Sequence, residues 1–197
     1  MEEKAMVGIS FSGHSRTLAP FGTYVTFEER LSSYWKVCSP EEKLTVFPVY
    51  LWWTLTCILP LRPTEFLLLP DDCLHEVDGK YILTVRRTRL KKNCRTVYYR
   101  IADDYSCFDY VIPHGLAEMI QSYRQAKVGH PQPVLDALLL PVREHTYFHY
   151  GAMRALLHDT LTELDMDPRC IHLGDTRHLS MISLILSGDT PSVGKAL

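Results

Sequence analysis

The sequence lacks any apolar run long enough to cross a bilayer. The longest, Phe47 to Pro60, is fourteen residues, short of the roughly 20 that a spanning helix needs. It reads as a buried helix instead. Met1 is followed by Glu2, Glu3 and Lys4 and not by a basic segment and an apolar stretch, so no secretory leader is expected and a cytoplasmic, membrane-free location follows. Cysteine pairs are missing too. Cys38, Cys57, Cys73, Cys94, Cys107 and Cys170 are scattered with no Cys-x-x-Cys unit, which points to reduced thiols. His145 and His149 stand four apart, but no Glu follows His145 and no third ligand is evident. No metal site and no cofactor are therefore expected. Internal repeats and low-complexity tracts are absent as well.

A basic excess is the last absence. Net charge is −2, which argues against a generic nucleic-acid binder. The average conceals a concentration: Arg86, Arg87, Arg89, Lys91, Lys92, Arg95 and Arg100 supply seven of the chain's 21 basic residues, with no acid among them. That block is the electrostatic feature to explain.

At 197 residues the chain can bury one well-packed core. Residues 1–40 show no sustained period and read as a connector, with a short helix expected over Phe27 to Trp35. Ser39-Pro40-Glu41-Glu42 places a capping residue, a proline at the first helical position and two acids in the first turn, so a helix should run from there toward Cys57. Pro48 lies inside that span and lacks a donor, which predicts a kink or two helices meeting near Phe47. Asp78-Gly79 is a turn signal, followed by the strand formers Tyr81 to Val85. A second strand is expected over Arg95 to Ile101, with Leu90 to Cys94 closing a hairpin that carries the lysines at its tip. Apolar spacing predicts further helices over Gly115 to Lys127, over Gly151 to Leu164, and from Asp175 toward Gly188. The fold class is mixed, mainly α with a small antiparallel β-sheet.

Two segments are candidates for chemistry. Leu61-Arg62-Pro63-Thr64-Glu65 sets an arginine at the edge of a very apolar neighbourhood. One reading is an Arg62–Glu65 ion pair bracing a helix junction; the other is a bidentate phosphate clamp held by Glu65. Gly174-Asp175-Thr176-Arg177-His178 sets a second arginine, beside a histidine, at the start of a late helix. Alone it is satisfied by capping and a core histidine. The order of the segments carries more: an arginine after an apolar helix, then a basic hairpin, then an Arg-His pair.

That order resembles the catalytic domain of the tyrosine recombinase (phage integrase) family. The Leu61 to Glu65 segment is similar to the family's first arginine box, a Leu-Arg-x-x-Glu run. Asp175-Thr176-Arg177-His178 is similar to the second, His-x-x-Arg-His, and the hairpin between them is where the family places its catalytic lysine. The resemblance covers about Leu44 to Leu197 and implies an N-terminal connector over 1–40 and a catalytic domain over 41–197. In that family a tyrosine attacks a DNA phosphodiester, giving a phosphotyrosyl link without metal or cofactor. Arginines stabilise the charge on the nonbridging oxygens, and a lysine and a histidine move protons at the bridging oxygens.

Carried over, Arg62 and Arg177 are the clamps, Lys91 is the hairpin lysine with Lys92 as the alternative, and Glu65 and His178 support them. Arg86, Arg87, Arg89, Lys92 and Arg95 then contact DNA. The implied partners are double-stranded DNA and other recombinase protomers on it. Two departures stand out. Gly174 occupies the position where the family has histidine, leaving His172 as the candidate acid/base residue or as a core histidine. No tyrosine follows Tyr150, so the expectation is an incomplete catalytic domain that ends before its nucleophile and is inactive alone. The competing expectations are a cleavage-inactive DNA-binding remnant or regulator, and an unrelated helical domain whose basic hairpin docks protein or RNA.

Overall fold

Tyr24, Phe27 and Leu31 recur at helical spacing, and all are buried on one face of a 17-residue helix. The computed structural model describes residues 18–89, 101–127, 138–140 and 149–186, and this first helix, α1 (Phe21–Val37), opens it. The helix expected over Phe27 to Trp35 is thus the middle of a longer one. Its inner face meets α2 (Pro40–Ile58), where the Trp53 ring stands edge-on to Phe27 at 4.9 Å.

Helix α2 starts where the sequence places it. The Ser39 hydroxyl accepts from the Glu42 N–H at 3.3 Å and the Glu42 carboxylate accepts from the Ser39 N–H at 2.7 Å, a reciprocal capping box. Of the two expectations at Pro48, a kink or two helices meeting near Phe47, the second does not hold: one continuous helix runs through Pro48. Pro48 is itself buried, as are Phe47, Val49, Leu51, Trp52, Trp53 and Leu55. A helix apolar on nearly every side is a central element, and the packing supplied around α2 by α1, α5 (His114–Ala126), α6 (Tyr150–Glu163) and α7 (Asp175–Leu186) offsets the lost hydrogen bond.

After the short helix α3 (Pro63–Leu67), the chain forms a three-stranded antiparallel sheet in the order β1-β2-β3. Strand β1 (Leu74–Val77) turns through Asp78 and Gly79, both at positive φ, into β2 (Lys80–Thr88). Two left-handed residues are what a tight two-residue hairpin with matched twist requires. The turn was legible; β1 was not anticipated.

The strand opposite β2 is also a correction. It is β3 (Tyr105–Ile112), in register from Tyr81↔Ile112 to Thr88↔Tyr105, while Ile101 opens the short helix α4 (Ile101–Asp104). The expected strand's remaining residues, 95–100, lie outside the described residues, as does the expected hairpin tip. Asp109 disguises β3 in the sequence; within the sheet the Thr84 hydroxyl donates to its carboxylate at 2.6 Å.

Helices α5 (His114–Ala126), α6 (Tyr150–Glu163) and α7 (Asp175–Leu186) lie where periodicity puts them. At the end of α5 the buried Lys127 ammonium reaches Asp71 at 2.5 Å and the Leu139 carbonyl at 2.6 Å. No helix among the described residues is long and apolar enough to cross a membrane.

Candidate functional site

The site begins where α2 stops. Leu59 leaves the helix extended, and Arg62, also extended at φ −71° and ψ 149°, stands at the N-cap of α3 with Pro63 at the first helical position. A residue preceding proline is held out of the helical region by steric clash, so the Arg-Pro pair fixes both the start of α3 and the direction of the Arg62 backbone. Glu65, one turn on, reaches back, and its Oε2 accepts from the Arg62 N–H at 2.8 Å.

Glu65 is only 2% exposed, and a buried carboxylate is costly unless its oxygens are hydrogen-bonded and its charge is matched. Strand β2 supplies both. The Thr88 N–H donates to Oε1 at 3.0 Å, and the Arg87 Nε lies 3.3 Å from Oε2. The Arg87 guanidinium is thus in ion-pair contact with Glu65, and the Arg62 backbone N–H donates to the same carboxylate. Arg87 is held on its other side as well, where Nη1 donates to the Tyr110 hydroxyl at 3.0 Å.

Arg177 enters from the first turn of α7. Tyr24 of α1 donates to the buried Asp175 carboxylate at 3.2 Å, the His172 N–H donates to the same oxygen at 2.9 Å, and the Trp52 indole donates to the Leu173 carbonyl at 3.2 Å. Thus α1 and α2 fix the loop that delivers the second arginine. The Arg177 guanidinium is pushed below its ordinary basicity, first by burial and then by Arg62 and Arg87, with Glu65 opposing. An arginine stays charged nonetheless. Arg62, Arg87 and Arg177 accordingly share one neighbourhood around one buried carboxylate, three cations to one anion among these groups. Such a surplus favours binding an anion with several acceptor oxygens.

The other expected residues distribute as follows. His172 is exposed, which removes the core-histidine reading, and His178 is half-buried. Arg86 donates to the Leu68 carbonyl at 3.2 Å, and the exposed Arg89 donates to the Ser106 hydroxyl at 2.5 Å. Lys91, Lys92 and Arg95 lie outside the described residues, between β2 and β3. His149 caps α6, its Nδ1 accepting from the Ala152 N–H at 3.2 Å; His145 lies outside the described residues. Sequence reasoning missed the pairing of Arg87 and the part played by Tyr24 and Tyr110. A signal for the first existed: in a strand Arg87 shares a face with Leu83 and Val85, both fully buried, so an inward arginine needed a buried acid.

No protein-family profile and no curated protein matches the sequence. Solved structures do match in fold. The chain superposes on the XerH site-specific recombinase bound to difH substrate, a pre-cleavage complex, with a TM-score of 0.63 at 12% identity, covering 92% of this chain and 47% of that one. XerH bound to palindromic difH substrate, a post-cleavage complex, gives 0.63 at 13% identity, covering 98% and 50%. The chain spans about half the length of these recombinase chains. It has a recombinase-like fold, mainly helical with a small three-stranded antiparallel sheet.

Proposed function

We propose that this chain is the DNA-binding catalytic core of a site-specific tyrosine recombinase, in which Arg62 and Arg177 clamp the nonbridging oxygens of a DNA phosphate. The observation that carries the reading is the meeting of Arg62, Arg87 and Arg177 around buried Glu65, from three segments far apart in sequence. The fold likeness to a recombinase seen on its DNA substrate supports it. A structural ion pair needs one cation per carboxylate; a phosphate in a strand-transfer transition state draws on several donors at once. Lys91 or Lys92, from the segment between β2 and β3, and His172, exposed at the mouth of α7, are assigned the proton transfers. Glu65 and His178 support the clamps. Arg89, Lys92 and Arg95 are assigned to flanking phosphates, where they position DNA and read no sequence.

Binding to a duplex of arbitrary sequence, followed by fluorescence anisotropy across a salt series, tests this. Arg62→Ala and Arg177→Ala are each expected to weaken binding roughly tenfold or more, the worth of a hydrogen bond to a charged group. Changing Lys91, Lys92 and Arg95 together to alanine is expected to flatten the dependence of log affinity on log salt, by roughly 0.9 per lost phosphate contact. Unchanged affinity in both single variants would overturn the proposal.

A further inference from the structure

Arg87 belongs to the basic block, and composition alone assigns it to DNA. Its surroundings differ from those of a DNA-facing cation. The side chain is 15% exposed, its Nε is spent on Glu65 at 3.3 Å, and its Nη1 is spent on the Tyr110 hydroxyl at 3.0 Å. A planar guanidinium held by two partners in different directions has its orientation fixed. Glu65, for its part, joins two elements: its Oε2 accepts from the Arg62 N–H at the N-cap of α3, and its Oε1 from the Thr88 N–H at the end of β2.

We propose that Arg87 is a positioning residue, which neutralises Glu65 from the β2 side so that this carboxylate can hold the Arg62 backbone without repelling a phosphate bound by Arg62 and Arg177. The proposal rests on the phosphate-clamp reading and adds a division of labour within the arginine cluster. Without Arg87, the charge of Glu65 is left to Arg62 and Arg177 alone and competes with a phosphate for them. Hydrogen bonds from the Arg62 and Thr88 N–H groups keep Glu65 in place. Loss of Arg87 then weakens anion binding through Glu65, and removing the charge of Glu65 relieves the defect. A direct phosphate contact behaves otherwise, because its loss is independent of the charge on Glu65.

A double-mutant cycle on the full chain separates the two, using the same duplex probe and with thermal melting of every variant as a control for folding. Arg87→Met is expected to weaken DNA binding roughly tenfold, the order of one hydrogen bond to a charged group lost to competition from Glu65. In the Glu65→Gln background the same substitution is expected to change affinity by less than about twofold, so the two effects do not add. An equal loss in both backgrounds overturns the role given to Arg87 and makes it a direct contact. Should Glu65→Gln fail to fold, Tyr110→Phe carries the test. It removes the support of Arg87 without touching any charge, and affinity should fall severalfold; unchanged or higher affinity overturns the proposal. Arg62→Ala and Arg177→Ala run alongside. If neither weakens binding, the phosphate-clamp reading fails and the role of Arg87 with it; if both do and the cycle is additive, only Arg87 has been misassigned.

Discussion

A carboxylate surrounded by protein needs its oxygens hydrogen-bonded or its charge matched, and Glu65 and Asp175 show two ways of doing so. Glu65 is matched by a guanidinium and backbone donors. Asp175 accepts from Tyr24 and from the His172 N–H. Thiols follow the opposite rule, since burial simply keeps them neutral. Burial pushes Cys57 and Cys73 up from 9.0 to about 12, and Cys107 is exposed. Alkylation by iodoacetamide at pH 8 is therefore expected to modify Cys107 while sparing Cys57 and Cys73 until the protein unfolds, as peptide mass mapping would reveal. The linkage has a definite sign. Above pH 9 the unfolded chain releases protons from these thiols that the folded chain retains, so stability should fall as pH rises from 9 toward 12. Flat stability across that window would mean that the two cysteines are less buried than described.

At the scale of elements, what the sequence revealed depended on how local the cause was. Helix α2 was legible because its start is written in four consecutive residues, and the same capping box yields a prediction. Ser39→Ala removes the acceptor for the Glu42 N–H and should cost about 1 kcal/mol, measurable as a shift in the urea midpoint with an unchanged slope. The Asp78-Gly79 turn was legible for the same reason. Continuity through Pro48 was left open by the sequence, since it is packing on all sides of α2 that holds the helix together there. Strand β3 was hidden because its pairing is set by β2 across a long connection, and Asp109 finds its partner in Thr84 only once that pairing exists. The candidate site divides likewise. Arg62 and Arg177 could be picked from their local boxes, whereas the attachment of Arg87 to Glu65 requires knowing that the end of β2 lies against α3.

For the whole molecule, the consequence is a separation between binding phosphate and cutting DNA. The proposed clamp needs only the described arginines; cleavage through a phosphotyrosyl intermediate needs a hydroxyl held in line with the leaving oxygen. No tyrosine follows Tyr150 in these 197 residues, and Tyr24, Tyr110 and Tyr123 are tied to Asp175, Arg87 and the Phe47 ring respectively. The chain by itself is thus expected to bind a nicked suicide duplex without forming a covalent adduct, as judged by a denaturing gel. An adduct that survives denaturation would mean that the nucleophile has been misplaced.

The indole of Trp52 has a use of its own. It is fully buried and donates to the Leu173 carbonyl, in the loop that leads into Arg177. Its emission therefore depends on whether that loop is docked. The chain has three tryptophans, and replacing Trp35 and Trp53 with phenylalanine would leave Trp52 as the sole emitter. The molecule thus carries an intrinsic optical reporter beside its arginine cluster, able to follow in real time whether the second arginine is seated when DNA arrives.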